Sequence, residues 1–427
     1  MFTNRLQKFI ALSAALYLGF TLNAQADAVS DWNMIAVQTI AAAGRPAGAS
    51  SLLDIATVHL AVHDAVAAID GQFRPYAVTI PGASGSPTAA AAKAAYDVLV
   101  NRFPLQAGSL TTTYNNYLLN HGLKQNDPGI AVGQRAAAGI IALRANDGGF
   151  PSPEPPLVLG GNAPGEWRPT PPAFAPMATP WLATVRPFAL NNPAQFRADP
   201  PPSLTSGLYT RDFNEVKDFG AFSKSTQTPE QTDLAYFWSG NYLIIWNGAL
   251  RGIASAQALD IGKSARLFAL VNMAMADAGI TAWDTKLHYL FWRPITAIEN
   301  ADTDGNPRTE AAPSWLPLIA TPPYPEYTSG ANNVTGATTR ILRSFFRTNN
   351  LTFTVTTNVP QAQQQTRTYR HFTEAADDVV IARIYEGIHY AFSDLEARKQ
   401  GESVANWVFH RFLRPVRDDG DDDDDAQ

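Results

Sequence analysis

The 427-residue sequence contains no cysteine, and only 16% of its residues are charged. Without cysteine the protein can form no disulfide, no cysteine nucleophile, no thiolate-ligated zinc site and no iron–sulfur cluster. The hydrophobic content of 45% is typical of a globular protein that buries a large core. Any chemistry must therefore come from the seven histidines, the carboxylates, the cations and the hydroxyls.

The sequence also lacks an apolar run of about 18 residues or more, the length that spans a membrane. A shorter run, at about 10–22, follows two cations and precedes an Ala-Gln-Ala sequence at 24–26, which is the arrangement of an export signal. We therefore expect a signal peptide at residues 1–26, no stable membrane span, and a soluble protein exported to the periplasm or the extracellular space. A retained membrane anchor is the alternative.

Outside the C-terminal tail the positive and negative charges of the sequence nearly balance. The net charge is −6, and seven aspartates lie at 418–419 and 421–425, so the rest of the chain is nearly neutral. A nucleic-acid-binding protein would normally show a basic face, and we expect no nucleic-acid partner. The tail, residues 416–427, is expected to be a solvated disordered run, with calcium or partner binding as the alternative.

Between these ends the sequence predicts an all-α protein with a proline-rich extended segment. Residues 27–150 are alanine-rich and show the 3.6-residue apolar period of helices. Residues 151–202 hold 15 of the 31 prolines, which excludes long helices and indicates an extended segment strapped across the helical body. The helical period returns in residues 203–415.

The helices predicted in the C-terminal half cover about 207–220, 229–247, 249–261, 264–290, 330–347, 372–385 and 389–413. Only 351–359, which is rich in threonine and valine, predicts a short strand. In the N-terminal half, His59 and His63 lie one turn apart on a predicted helix and could ligate a metal. Because no third ligand stands nearby in the sequence, we interpret them as core or capping histidines.

Three segments of the C-terminal half place cations, a hydroxyl or a histidine beside helix ends. In the first, Lys286 and Arg293 are seven residues apart on a predicted helix, which places them within about 20° of each other on one face. Pro294 limits the helix at this point. Two cations on an otherwise aromatic face repel each other and lose hydration unless an anion lies between them. The pair predicts an anion site, with two solvated cations as the alternative.

The second segment, 324–333, is a proline-led turn that opens into a helix. A helix N-terminus exposes unpaired backbone N–H groups and the positive end of the helix dipole. Ser329 would donate its hydroxyl, and Gly330 its N–H, to an anion. A serine N-cap explains the same residues equally well.

The third segment contains Arg383 and His389, which would lie roughly 120° apart on an unbroken helix. They converge only if the helix breaks between them. Gly387 is the candidate C-terminal stop, after which His389 begins the next helix and points back toward Arg383. An ordinary helix junction with a surface arginine is the alternative.

Together the three segments resemble the signature of the vanadium-dependent haloperoxidase and type 2 phosphatidic acid phosphatase superfamily, which reads Lys-x6-Arg-Pro, Pro-Ser-Gly-His and Arg-x5-His. The order and the two internal spacings match, and so does the flanking sequence at 272–279 and 283–284. The resemblance covers about residues 30–415 and is strongest for bacterial haloperoxidase-like members.

The resemblance implies helical bundles of the haloperoxidase or acid phosphatase type around a cofactor, vanadate, for which phosphate competes. The three cations would neutralise the equatorial oxygens, and the serine hydroxyl and glycine N–H would add hydrogen bonds. His389 would bind vanadium axially in a haloperoxidase or attack phosphorus in a phosphatase. The same cations and His389 are the implied catalytic residues. The implied oxyanion-binding residues are Lys286, Arg293, Ser329, Gly330, Arg383 and His389.

The sequence departs from the signature at several positions. Ala331 replaces the histidine that handles protons in both chemistries, and loss of a positioned acid or base typically lowers a rate about 10²- to 10⁴-fold. Thr328 replaces the motif proline. Many relatives carry a serine at the position of Ala382 and an aspartate at the position of Ser393. Asp394 is one residue out of step, so the group that orients the axial histidine is not identified by the signature.

No other residue is secured as the missing proton carrier. His288 lies about 200° from the lysine on the same predicted helix and is interpreted as a packing residue. His371 precedes the Arg383 helix and would have to fold in. Asn332 and Asn333 can donate hydrogen bonds but cannot shuttle protons at neutral pH.

Three hypotheses follow from the sequence. The leading one is an exported haloperoxidase that binds vanadate and oxidises halide with peroxide, with turnover weakened by Ala331. The absence of cysteine and the presence of only five methionines suit a protein that makes oxidants. The second is a phosphatase-like phosphomonoesterase with His389 as nucleophile, acting on phosphate esters. The third is a catalytically silent paralogue that only binds oxyanions.

Overall fold

The computed structural model describes residues 27–46, 48–223 and 225–416, and this part of the chain is mainly helical. It contains thirteen α-helices, three short 3₁₀ turns and one two-stranded antiparallel sheet. The predicted all-α class is confirmed. The predicted signal peptide, residues 1–26, and the predicted tail beyond Val416 lie outside the described residues.

The N-terminal region folds into five helices whose starts follow from the local sequence. The side chains of Asp27, Ser86 and Asp127 each accept a backbone N–H at an N-cap position, and Pro87 and Pro128 occupy the first helical position, where no N–H is needed. These helices are α1 (Ala28–Ala42), α2 (Ser50–Asp70), α3 (Pro87–Arg102), α4 (Ala107–Asn120) and α5 (Pro128–Arg144).

The C-terminal region adds eight helices and the sheet. Its longest helix, α9, has 29 residues, is buried along most of its length and packs against α2, α11 and α13. Several of these C-terminal elements position the candidate site residues. The elements are α6 (Gly207–Phe219), α7 (Pro229–Trp238), α8 (Tyr242–Ala256), α9 (Ile261–Tyr289), α10 (Pro294–Glu299), α11 (Gly330–Phe346), β1 (Asn350–Thr356), β2 (Thr366–His371), α12 (Phe372–Tyr385) and α13 (Ala391–Arg411).

The N-terminal and C-terminal helices share one hydrophobic core. The same cluster of buried side chains contains Trp32 from α1, Phe268 from α9 and Val404 from α13. The loop before α2 also interlocks with α9, because Gly48 has a φ of +110° and an added Cβ would lie 2.4 Å from a ring atom of Trp283. Only glycine fits this contact. The N-terminal region therefore packs directly against the end of α9 that carries Lys286.

The proline-rich segment crosses α9 without forming a helix longer than the 3₁₀ turn Pro180–Thr184. Asp277 of α9 is fully buried and accepts the backbone N–H groups of Phe188, Ala189 and Leu190 at 2.7, 2.7 and 3.1 Å. One carboxylate thus supplies acceptors to three N–H groups that have no helix or sheet partner, which fixes the segment against the bundle.

In the C-terminal half one predicted helix is wrong and the predicted strand is only one of two. The helix predicted over 229–247 is interrupted, because α7 ends at Trp238 and the Asn241 side chain caps α8 by accepting the N–H of Leu243 at 2.9 Å. The local serine-glycine-asparagine sequence stops the helix although the apolar period continues through it. The predicted strand is present as β1, but it needs a partner that the sequence reading did not identify, β2, in a register that pairs Phe353 with Tyr369.

Helix α2 is the one helix among the described residues that is long and apolar enough to cross a membrane, and 89% of its most apolar window is buried inside the protein. Its histidines are hydrogen-bonded in that interior: His59 Nε2 lies 2.8 Å from Asn33 Nδ2, and His63 Nε2 lies 3.1 Å from the Arg74 carbonyl oxygen. Burial lowers the pKa of His59 to about 3 and that of His63 to about 4. They are neutral core histidines, as predicted.

Candidate active site

The first cation of the site, Lys286, lies in the last turn of α9 and is fully buried. Its Nζ donates hydrogen bonds to the carbonyl oxygens of Pro325 at 2.8 Å and Glu326 at 2.9 Å. Burial lowers the pKa of Lys286 well below its usual value, and nearby Arg293 lowers it further. In its ammonium form Lys286 has a third N–H beyond these two carbonyls, and an anion that accepts it would also offset the cost of burying the charge.

The prediction that Lys286 and Arg293 share one helical face is wrong. Helix α9 ends at Tyr289, and Leu290 adopts a left-handed conformation with a φ of 45° while its N–H bonds the Lys286 carbonyl oxygen at 2.9 Å. The chain then turns away, and Arg293 stands at the N-cap of α10, directly before Pro294. The two cations therefore meet because the helix ends between them. Both are fully buried, so the solvated-pair alternative is also wrong.

Three of the five N–H groups of Arg293 have partners within the protein. Its Nε donates to the Tyr324 carbonyl oxygen at 2.8 Å, and its Nη1 donates to the Ile388 carbonyl oxygen at 2.8 Å and lies 3.2 Å from His389 Nε2. Its Nη2 is buried and has no hydrogen-bond partner within the protein. Burial lowers the pKa of Arg293 to about 10. The guanidinium remains charged at neutral pH and offers one free edge.

Ser329 occupies the N-cap position of α11, and Gly330 is the first helical residue. The Ser329 side chain makes no capping hydrogen bond to the helix. It lies instead beside Asn332 Nδ2, at 3.4 Å, and is buried. The N-cap alternative therefore does not account for this serine, and the first N–H groups of α11 carry no side-chain cap. This is the arrangement that an anion at a helix N-terminus would use.

The third segment breaks where the sequence predicted. Helix α12 ends at Tyr385, and Gly387 has a φ of +80°, where an added Cβ would lie 2.3 Å from the Gly220 carbonyl oxygen. His389 lies in the connection between the two helices. Helix α13 begins two residues later, so His389 is not its first residue as predicted. The break brings His389 back into contact with Arg293. The alternative, an ordinary helix junction with a surface arginine, is wrong because Arg383 is only 7% exposed.

Arg383 extends from the last turn of α12 and pairs with a buried carboxylate. Its Nη1 lies 2.6 Å from Glu386 Oε2, and its Nε has no hydrogen-bond partner within the protein. Burial alone would lower the pKa of Arg383, but Glu386 and the phenol of Tyr242 raise it overall. Arg383 therefore stays charged and, like Arg293, keeps a donor free.

His389 is fixed from both sides of its ring. Its Nδ1 lies 2.7 Å from Glu326 Oε1, and its Nε2 lies 3.2 Å from Arg293 Nη1. Because arginine can only donate, Nε2 must be the acceptor, and Nδ1 carries the proton and donates it to Glu326. Burial, followed by the charges of Arg293 and Lys286, lowers the pKa of His389 well below its usual value. The imidazole is therefore neutral, with its lone pair on Nε2.

Glu326 is a site residue that the sequence analysis missed. It is fully buried, and Oε1 also accepts the backbone N–H of Tyr390 at 3.2 Å. It takes the orienting role that the signature assigns to an aspartate four residues beyond the histidine. Asp394, which the sequence placed one residue out of step, accepts instead from Asn332 Nδ2 at 2.7 Å. A glutamate inside an aromatic, proline-led turn was the only sequence signal, because the contact joins residues 63 positions apart.

Three buried carboxyl groups surround the three cations. Burial raises the pKa of Glu326 and of Glu386 to about 7, against the opposing effect of the neighbouring cations. Burial also raises the pKa of Asp394 well above its usual value. Burial disfavours the charged form of all three carboxyl groups, so they offset the charge of the cations only in part, and a bound oxyanion would neutralise the remainder.

The residues present fit an oxyanion such as vanadate or phosphate. The free donors are Arg293 Nη2 and Arg383 Nε, and both are buried. A buried unpaired donor costs about 1–3 kcal/mol, so two of them beside an uncapped helix N-terminus indicate a ligand rich in acceptors. The donors are cations and N–H groups, which bind oxyanions rather than metal cations. Among the described residues there is also no group of three or more acidic or histidine side chains that could hold a metal cation.

No second histidine lies at this site. Ala331 faces a cavity together with Gly330 and Arg383, and none of the described residues that line this cavity is a histidine. His288 is exposed and packs edge-on against the Tyr289 ring, so it points away from the site as predicted. His371 caps the opposite end of α12, about three turns from Arg383, and does not fold in.

Comparisons with known proteins agree with this geometry. The family model of the VCPO second helical-bundle domain matches residues 266–418, which contain every candidate oxyanion-binding residue discussed above. The vanadium chloroperoxidase of Curvularia inaequalis is 27% identical over 282 residues, which cover 50% of this chain and 46% of that protein. The chain thus spans about half the length of this curated relative.

Solved structures extend the similarity over most of the chain. A bacterial vanadium-dependent iodoperoxidase superposes with a TM-score of 0.78 at 27% identity, covering 91% of this chain and 97% of that protein. The holo form of a bacterial vanadium-dependent chloroperoxidase superposes with a TM-score of 0.69 at 18% identity, covering 85% of this chain and 91% of that protein. The second comparison concerns the fold alone. Both superpositions cover most of this chain, so the similarity in fold includes its N-terminal helices.

Proposed function

We propose that this chain, a member of the vanadium-dependent haloperoxidase and type 2 phosphatidic acid phosphatase superfamily, is a haloperoxidase-type oxidoreductase that holds vanadate and oxidises halide with peroxide. The observation that carries the proposal is the convergence of three buried cations on one neutral imidazole. Arg293 bonds His389 directly, and each arginine of the cluster keeps a buried donor without a protein partner.

Each residue has a distinct part in holding the oxyanion. Arg293 Nη2, Arg383 Nε and the third N–H of Lys286 donate to its oxygens, and the first N–H groups of α11 with the Ser329 hydroxyl extend the donor set. Glu326 fixes the proton of His389 on Nδ1, so the lone pair is on Nε2, where it accepts from Arg293 Nη1 and would be given to the oxyanion in place of that hydrogen bond. Vanadate bound in this way supplies a Lewis acid that activates peroxide toward halide.

Proton handling is the weak part of this site. Ala331 cannot carry a proton, and no histidine of the described cavity wall replaces it. We therefore propose that the chain turns over slowly for its class. The two alternatives, a phosphomonoesterase with His389 as nucleophile and a silent oxyanion-binding paralogue, use the same donors and differ only in what happens after binding.

The decisive experiment compares two assays on one purified preparation. After dialysis against a chelator to remove bound vanadate, we expect no peroxide-dependent oxidation of iodide or bromide. Added vanadate should restore it, and phosphate should compete. Iodide should react fastest because it is the most easily oxidised of the halides. Hydrolysis of an aryl phosphate that vanadate inhibits would instead establish the phosphatase alternative, and tight vanadate binding without either activity would establish the silent paralogue.

Neutralising Glu326 should weaken turnover through His389. In Glu326→Gln the amide oxygen can still accept from Nδ1, but the negative charge is lost; in Glu326→Ala the acceptor itself is lost. Outer partners of this kind typically contribute about 10- to 100-fold, so we expect about tenfold lower kcat in the first variant and about 100-fold in the second. The measurement is vanadate-dependent iodide oxidation.

The matched control for this series is Glu310→Gln, which changes a glutamate whose side chain is 91% exposed. It should leave the rate at the wild-type value. Equal losses in all three variants, or a wild-type kcat in Glu326→Ala, would contradict the positioning role.

We propose further that the protein is exported, on the basis of the N-terminal segment 1–26. N-terminal sequencing of protein recovered outside the cytoplasm tests this part. A mature start near residue 27 would support it, and an intact Met1 would count against it.

A further inference from the structure

A cavity of about 490 Å³ lies beside the proposed oxyanion site. Its wall includes Gly330 and Ala331 from the start of α11 and Arg383 from the end of α12, so it reaches the residues that would hold the oxyanion. Peroxide and a halide ion are each close in size to a water molecule, whose share of liquid volume is about 30 Å³. Pockets for organic small molecules measure about 300–1,000 Å³. The cavity is therefore far larger than the two inorganic substrates require.

The wall of the cavity is mainly apolar and aromatic. Trp283 and Tyr324 face each other with ring centroids 4.9 Å apart at an angle of 52°, and Tyr242 lies on the same wall. Leu52 and Val334 add aliphatic surface. Among the described residues, no carboxylate lines the cavity. Such a wall binds an uncharged ring through burial and edge-to-face contacts.

The two charged residues of the cavity wall are already paired. Arg45 donates from Nε and Nη2 to the two carboxylate oxygens of Asp54, at 2.7 and 3.2 Å. Arg383 is paired with Glu386. Asp54 also binds Arg102, at 2.7 Å, so Arg45 has no donor set aside for a ligand, and the free donor of Arg383 belongs to the oxyanion site. The wall thus leaves no charged group for an organic ligand, which favours a neutral one.

The aromatic wall is rigidly connected to the oxyanion donors. The indole N–H of Trp283 donates to the Ala178 carbonyl oxygen at 3.1 Å, and the ring lies one turn before Lys286 on α9. The Tyr324 carbonyl oxygen accepts from Arg293 Nε. A ring that packs against this pair would therefore be held at a fixed position beside the oxyanion rather than in bulk solvent.

We propose that this cavity binds a small neutral aromatic substrate, such as a substituted phenol, next to the oxyanion. The inference rests on the proposed function and names its organic substrate class. Peroxide takes up one proton from solvent and is reduced to water as halide is oxidised to hypohalous acid. On the bound ring a carbon–halogen bond then forms while the oxygen–halogen and carbon–hydrogen bonds break, and the released proton and hydroxide leave as water. Holding the ring beside the source of oxidant places the second reaction within the protein.

The test measures binding directly and without vanadate. The probe is thymol, a neutral alkylphenol, followed by equilibrium dialysis, and menthol serves as its saturated analogue. We expect saturable binding of thymol and at least tenfold weaker binding of menthol. Ser51→Phe places a ring in the cavity, while Ser51→Ala leaves the space open. The first variant should bind thymol at least tenfold more weakly than the second.

A second pair of variants on the opposite wall, Ala331→Leu and Ala331→Ser, guards against misfolding of the Ser51 variants, and all four are checked by thermal unfolding. Loss of thymol affinity in Ala331→Leu but not in Ala331→Ser supports the proposal. Equal affinities for thymol and menthol, or thymol binding that neither filling variant lowers, would overturn it. If the wild type binds thymol but oxidises no halide, the proposed function fails and the aromatic site stands. If it oxidises halide but binds no thymol, the aromatic site fails and the proposed function stands.

Discussion

Replacing His389 with alanine is expected to remove vanadate-dependent halide oxidation almost completely. The residue contacts Arg293 through Nε2 and Glu326 through Nδ1, and it is the one side chain of the cluster that offers a lone pair toward the oxyanion. Outer partners of a bound group typically contribute about 10- to 100-fold, and a residue that contacts the group itself should contribute more; we expect a loss of at least about 1,000-fold in kcat. The measurement is iodide oxidation at saturating vanadate.

The alanine variant alone would be ambiguous, because it leaves Glu326 buried without its principal partner. Removing one member of a buried pair typically destabilises a protein by about 3–5 kcal/mol. His389→Asn avoids this, since its amide N–H can donate to Glu326 in place of Nδ1 but nothing replaces Nε2. We expect this variant to unfold at nearly the wild-type temperature and to be as inactive as His389→Ala.

His410→Ala is the matched control, because this histidine is exposed in the last turn of α13 and packs only edge-on against Phe409. It should retain wild-type activity and vanadate affinity. Halide oxidation that survives in His389→Asn would contradict the assigned role. If vanadate binding, measured by its displacement of phosphate, were also unchanged in that variant, His389 would not contact the oxyanion at all.

The sequence predicted that these residues converge, but not how. The break at Gly387 was readable, because a glycine follows a helical period there. The end of α9 was predicted within one residue, but the left-handed turn at Leu290 was not, because neither its residue type nor the apolar period indicates it. As a result the sequence placed Lys286 and Arg293 on one helical face, whereas the structure joins them across a chain turn.

The carboxylate that holds His389 could also not be predicted from the sequence. Glu326 reaches His389 across 63 residues, whereas Glu386 lies three residues after Arg383, a helical spacing that could have indicated the pair. Local patterns specify helices and caps, while the choice of one buried carboxylate over another depends on how the helices pack. The cavity beside Ala331 has the same origin, since its wall draws on loops and helices from both halves of the chain.

Converting Ala331 to histidine is expected to raise turnover. Ala331 is partly exposed to a cavity of about 490 Å³, so an imidazole can enter without displacing the packed core. The new residue would lie in the first turn of α11, where the positive end of the helix dipole lowers the pKa of a histidine and keeps it able to exchange protons near neutral pH. A positioned acid or base typically contributes about 10²- to 10⁴-fold, and we expect a gain of at least about tenfold in kcat for iodide oxidation.

The control for this gain is Ala331→Gln, which adds a polar side chain of similar length that cannot carry a proton. Both substitutions reduce the space beside Trp283 and Tyr324, so both should weaken thymol binding, but only the histidine should raise kcat. The two effects are therefore separable: bulk at position 331 acts on the aromatic substrate, and acid–base chemistry at the same position acts on turnover. A gain shared by glutamine, or no gain with histidine, would show that something other than the missing proton carrier limits the site.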